Sequence, residues 1–77
     1  MMTKINDLIK HIELPQFITV ININSDDVLY SGSVCDWYTN DHFKVYENKK
    51  VISIKAIENG MIAIYVLNKG EKICARI

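Results

Sequence analysis

The side chains best suited to chemistry gather between Tyr30 and Tyr46: Tyr30, Cys35, Asp36, Trp37, Tyr38, Asp41 and His42. Cys35, Asp36, Asp41 and His42 are all metal-ligating types. Zinc sites, however, use four ligands at characteristic intervals, and Cys35-x6-His42 is not one of the strong patterns. Asp36 and Asp41 would make a carboxylate pair for acid–base work, but the pattern supplies no partner acid, metal or pocket. The glycines are isolated, so no phosphate-cradling loop is written here. The two histidines, His11 and His42, complete no Ser-His-acid arrangement. The expectation is a protein that is not an enzyme and uses no metal or cofactor, with Cys35 as a small buried thiol beside a surface His42.

Binding is better served by the same segment. Five of the seven aromatic residues lie in it, Tyr30, Trp37, Tyr38, Phe43 and Tyr46, interleaved with Asp36, Thr39, Asn40, Asp41 and His42. Aromatic rings with a polar handle, set among acids and amides, are typical of contact surfaces. Tyr30, Asp36, Trp37, Tyr38 and His42 are therefore the candidate binding residues, with Trp37 expected on the surface. Charge points the same way. No Lys or Arg stands between His11 and Phe43, a stretch holding Glu13, Asp26, Asp27, Asp36 and Asp41, whereas Lys44, Lys49, Lys50, Lys55, Lys69, Lys72 and Arg76 follow it. A domain polarised in this way suits head-to-tail contact or a charged partner. Nucleic acid is a poor fit, because the net charge is zero and no recognition motif accompanies the lysines.

These residues have to be positioned by a single small domain. A chain of 77 residues holds one core, and chains of this size bury only about 60% of their unfolded surface. A partner subunit is one common remedy. Cys35 and Cys74 form no CxxC pair, and the first ten residues interleave charge with isoleucine rather than forming an apolar signal core. No window reaches the roughly 18 apolar residues that span a bilayer. The expectation is a cytoplasmic protein with two free thiols and no membrane contact.

The periodicity predicts an α+β domain: an N-terminal helix packed on an antiparallel β-meander of four to five strands, with curling into a small barrel as the alternative. Ile5, Leu8, Ile9 and Ile12 make one apolar stripe, so a helix is expected over about residues 4–13, capped by Thr3 and stopped by Pro15. Strands are expected over about residues 16–23, 28–34, 50–58, 61–67 and 71–76, with Gly32 marking a bulge or close approach and residues 35–48 a connector with room for one turn of helix. Asn59-Gly60 between apolar runs signals a two-residue type I′ hairpin. That turn sets Glu58 opposite Met61, Ile57 opposite Ile62, Ala56 opposite Ala63 and Ile54 opposite Tyr65. The helix is then expected on the alanine-bearing face. Ile57, Ile62, Ile64 and Val66 are left uncovered, to be covered by a sheet curled into a barrel, by the C-terminal strand folding across or by a second subunit, and the expectation is self-association as a homodimer.

Asp7-Leu8-Ile9, Leu29-Tyr30-Ser31-Gly32, Asp36, Val51-Ile52-Ser53-Ile54 and Ile62-Ala63-Ile64 together resemble small proteins encoded by phages and mobile elements of low-GC Gram-positive bacteria. The resemblance spans about Asp7 to Val66 and carries over no catalytic residue. It implies an accessory role in a bacterial host, such as inhibition of a host-defence protein in the anti-CRISPR manner. The reading is a stoichiometric protein-binding module. The alternatives are an oligomeric binder of a small molecule or nucleotide signal, and a structural or assembly role.

Overall fold

A computed structural model describes residues 3–68 and Lys72. Two hairpins form its sheet. In chain order the elements are β1 (Thr3–Lys4), α1 (Ile5–Ile9), β2 (Phe17–Asn22), β3 (Val28–Ser33), α2 (Val34–Thr39), α3 (His42–Val45), β4 (Lys50–Ala56) and β5 (Ile62–Leu67). β2 and β3 pair antiparallel, as do β4 and β5. The inner strands β2 and β5 run parallel, giving the order β1-β4-β5-β2-β3. The class is α+β, but the sheet is mixed and open, not an antiparallel meander or a barrel. Parallel neighbours need a long crossover between them. The α2–α3 connector provides it, carrying the chain from the β3 edge to β4 on the far side of the sheet. No helix among the described residues is long and apolar enough to cross a membrane.

The N-terminal segment departs from its expected length. Thr3 pairs with Val51 and Lys4 with Lys50, so these residues extend the sheet rather than cap a helix. Lys4 holds the N-cap position with an extended backbone and no side-chain bond, and the Ile5 amide donates to the Lys49 carbonyl. Beyond Ile9 the His11 and Ile12 amides reach back three residues to Leu8 and Ile9, which tightens the last turn and ends the helix well before Pro15. Ile5 and Ile9 are fully buried, and Leu8 and Ile12 pack at the margin of the same core.

The β4–β5 hairpin has the expected turn but not the expected register. Asn59 and Gly60 take φ of 66° and 73°, as a type I′ turn requires, and the Met61 amide donates to the Glu58 carbonyl. It is the Ile57 amide, not that of Glu58, that bonds the Met61 carbonyl. One extra residue therefore enters the first strand. The pairs become Ala56 with Ile62, Ile54 with Ile64 and Ser53 with Tyr65, and a second irregularity between Val51 and Ser53 sets Val51 opposite Val66.

A one-residue slip exchanges the faces of one strand relative to the other. Ile64 and Val66, expected on the uncovered face, are fully buried in the core with Ile5, Ile9, Ile18, Val20, Tyr30, Val34 and Trp37. Ile62 is half-buried against that cluster, and Ile57 lies exposed beside the turn. The face assignment behind the expected dimer is corrected accordingly: Ile64 and Val66 lie in the core cluster, and Ala63 and Leu67 on the opposite face of β5 are buried too. The expected strand over residues 71–76, and with it Cys74, lies outside the described residues.

Candidate functional site

The site segment begins with a helix cap. The Ser33 hydroxyl accepts from the Asp36 amide at 3.1 Å, and Asp36 stands in the first turn of α2, where the helix dipole favours its charge. At the far end, Asp41 adopts the left-handed conformation at φ 60°, a conformation Asp tolerates better than most residues. It turns the chain directly from α2 into α3. The Thr39 hydroxyl and the Asn40 amide donate to the carbonyls of Cys35 and Asp36, closing the last turn of α2.

Tyr30, Trp37 and His42 are brought together, and Tyr46 joins them. Tyr30 meets Trp37 edge-on with centroids 5.2 Å apart, and His42 lies 4.6 Å from Tyr30. Trp37 stacks with Tyr46 at 5.6 Å and with His42 at 5.9 Å. Trp37, expected on the contact surface, is 0% exposed, and its indole N–H donates to Asn6 Oδ1 of α1 at 3.3 Å. The indole fills the space between sheet and helices, where its large apolar area is removed from water. Asp36 is exposed, and Tyr38 and His42 are half-buried, so the segment divides into a buried aromatic layer and a polar outer surface.

Two hydroxyls tie this layer to β3. β3 is bulged at Leu29, since Val20 pairs with Tyr30 and Ile21 with Val28. Tyr46 donates its hydroxyl to the Leu29 carbonyl at 3.1 Å. Tyr30 donates to the Ser33 carbonyl at 2.6 Å. The bulge is therefore at Leu29, while Gly32 pairs regularly with Ile18 and marks a close approach by the Tyr30 ring. Burial pushes the Tyr30 hydroxyl above the ordinary tyrosine range, and the negative charges of Asp36 and Cys35 add to that push.

Cys35, expected to be buried, is an exposed free thiol. Among the described residues no group of three His, Cys, Asp or Glu side chains converges as metal ligands. The described residues form no pocket. The outer surface of α2 and α3 presents Asp36, Tyr38, Asp41 and His42, with Val45 beside them 70% exposed.

The α2 cap and Tyr46 are the participants that sequence reasoning missed. A signal for the first existed: Ser33-x-x-Asp36 is a helix-start pattern, and Val34, Trp37 and Tyr38 fall at i, i+3 and i+4. The six residues of α2 are simply too short a window for that period to stand out. For Tyr46 no local signal exists, because its partner Leu29 is 17 residues away. No protein-family model, curated protein or solved structure matches this chain.

Proposed function

We propose that the chain is a stoichiometric protein-binding module that offers its α2–α3 surface to a basic protein partner. The observation that carries this reading is the pairing of two exposed acids, Asp36 and Asp41, with half-buried Tyr38 and His42 that rest on a packed aromatic layer. A surface held by a rigid layer loses little conformational entropy on binding. No Lys or Arg lies between His11 and Phe43, so within α2–α3 Lys44 alone stands against Asp36 and Asp41 and a small acidic excess remains. The resemblance to phage and mobile-element proteins supports a partner in the cytoplasm of a bacterial host, with inhibition of a host-defence protein as the outcome.

A second reading, a nucleotide-binding oligomer, has one observation in its favour: Lys49 Nζ lies 5.9 Å from the Tyr46 ring centre. A cation beside an aromatic face suits a nucleobase and its phosphate. No pocket accompanies the pair among the described residues, so the protein-binding reading is favoured.

The test compares wild type with an Asp36→Lys/Asp41→Asn variant; Asn keeps the left-handed turn at position 41. Both are used as bait in host lysate, and the captured protein is then purified and titrated by calorimetry. An equimolar complex lost in the variant, with the far-UV spectrum unchanged, supports the reading. Equal capture by both proteins overturns it. Nucleotide binding by the chain without any protein partner would favour the second reading.

A further inference from the structure

We propose that residues 73–77, which lie outside the described residues, form a strap over the second face of the sheet, along the inner strands β2 and β5 of the same copy. Side chains alternate along a strand, so Thr19, Ile21, Ala63, Tyr65 and Leu67 point away from the core cluster that holds Ile18, Val20, Ile64 and Val66. The described helices pack on the core side: Ile5, Ile9, Val34 and Trp37 belong to that cluster, and His42 of α3 stacks with Trp37. Yet Ala63 is 1% exposed, Leu67 2% and Thr19 9%, with Ile21 and Tyr65 half-buried. A leucine on a sheet face loses its water only when something lies over it, and among the described residues no helix or second sheet does. One chain alone achieves this burial, so the cover belongs to the chain and not to a second copy.

Reach and pattern single out the segment after Lys72. The Asn24 side-chain amide donates to the Lys72 carbonyl at 2.9 Å, and the Ile23 amide to the Val66 carbonyl at 3.0 Å. Lys72 therefore stands by the β2–β3 turn, at the Leu67 end of the face. Residues 73–77 extended from there span about 16 Å, while Leu67 to Ala63 is only about 13 Å. Phe17, one residue before the Ile18–Ile62 pair and about 20 Å from Leu67, lies beyond that reach and is 54% exposed. The outer strands are bare on this face as well, with Val28, Ser31, Ser53 and Lys55 all exposed. Burial is thus confined to the part of the face that a strap from Lys72 can reach. In an extended chain Ile73, Ala75 and Ile77 share one side, which suits the apolar sheet, and Arg76 falls on the other, in water. Such a strap removes an apolar face that would otherwise invite a second subunit.

Methyl NOE spectra of the full chain test this. Cross-peaks are expected from the Ala63 and Leu67 methyls to those of Ile73, Ala75 or Ile77. In an equimolar mixture of carbon-13-labelled and unlabelled chains, isotope-filtered spectra should lack these cross-peaks, because each strap stays on its own copy. Ile73→Asp/Ile77→Asp should raise the nitration rate of Tyr65 several-fold, read by peptide mapping, while the native Trp37 emission from the other side of the sheet is kept. Wild-type spectra without those cross-peaks would overturn the proposal whether or not the variant folds. Cross-peaks that survive the isotope filter would overturn it too, since a second copy would then supply the cover. So would a folded variant whose Tyr65 reacts no faster than in wild type.

Discussion

The hydroxyl oxygen of Tyr30 lies 2.8 Å from where a Cβ on Gly32 would stand, and the ring carbon bearing it 3.2 Å away. Residues two apart on a strand share a face, so the ring lies along β3 and covers the glycine. Trp37 and His42 hold that ring from the other side, leaving it no room to swing away. Gly32→Ala should therefore destabilise the fold by about 1–3 kcal/mol, the usual range for overpacking. Denaturant titration checks this. In a Tyr30→Phe background, where the nearest atom is gone, the added cost of Gly32→Ala should shrink, giving a measurable coupling energy.

Tyr30 also predicts an alkaline limit to stability. Its folded-state pKa is raised, so the unfolded chain gives up the proton first as pH rises. The stabilisation is complete below the unfolded tyrosine value of about 10 and is lost as pH climbs from there through the folded value. Melting temperatures should decline above that point in wild type. The decline should be smaller in Tyr30→Phe, which isolates Tyr30 from the other groups that titrate at high pH.

Trp37 is the only tryptophan and is completely buried. Its emission should be shifted to the blue in the native state and move to the red on unfolding, which makes it a direct reporter of the fold. Trp37→Ala should cost about 3–5 kcal/mol, enough to leave little folded protein of this size. Trp37→Phe should retain the fold at a smaller cost. An alanine variant that melts like wild type would contradict the core role.

Asn22 is buried at the end of β2, and its side-chain oxygen accepts from the amides of Asn24 at 2.9 Å and Ser25 at 3.2 Å. This pair of bonds builds the turn into β3. Asn22→Ala should destabilise by about 1–3 kcal/mol, because two amides in a partly buried turn lose their acceptor. Hydrogen exchange at Asn24 and Ser25 should quicken in the same variant.

Tyr46→Phe should cost about 0.5–1.5 kcal/mol by removing the bond to the Leu29 carbonyl. The same change leaves the stacking with Trp37 intact, so Trp37 emission should hold steady while the denaturation midpoint falls.

Much of the local structure was legible in the residue order. Four strands, β2 to β5, lie within the runs read as strands, because β-branched residues and polar turns mark such segments locally. Asn59 and Gly60 adopt the positive φ angles their types favour, and the apolar stripe of Ile5 and Ile9 is buried as its spacing demands. Each of these is a property of near neighbours. The aromatic concentration from Tyr30 to Tyr46 was legible too, but not its division into a buried layer and an outer surface.

Only the tertiary structure decided which strands pair, in what direction and in what register. The parallel β2–β5 contact joins residues more than forty positions apart, as in Ile18 with Ile62, and nothing in either strand announces the other. A bulge is an extra residue counted against a partner strand, so those at Leu29, at Ile57 and between Val51 and Ser53 have no signature within one strand. Those single-residue shifts set which β4 and β3 side chains share a face with Ile64 and Val66, and the packing of α1 and Trp37 put that face in the core. Local sequence sets what each segment prefers to be, while the face it buries depends on distant contacts that form only when the whole sheet assembles.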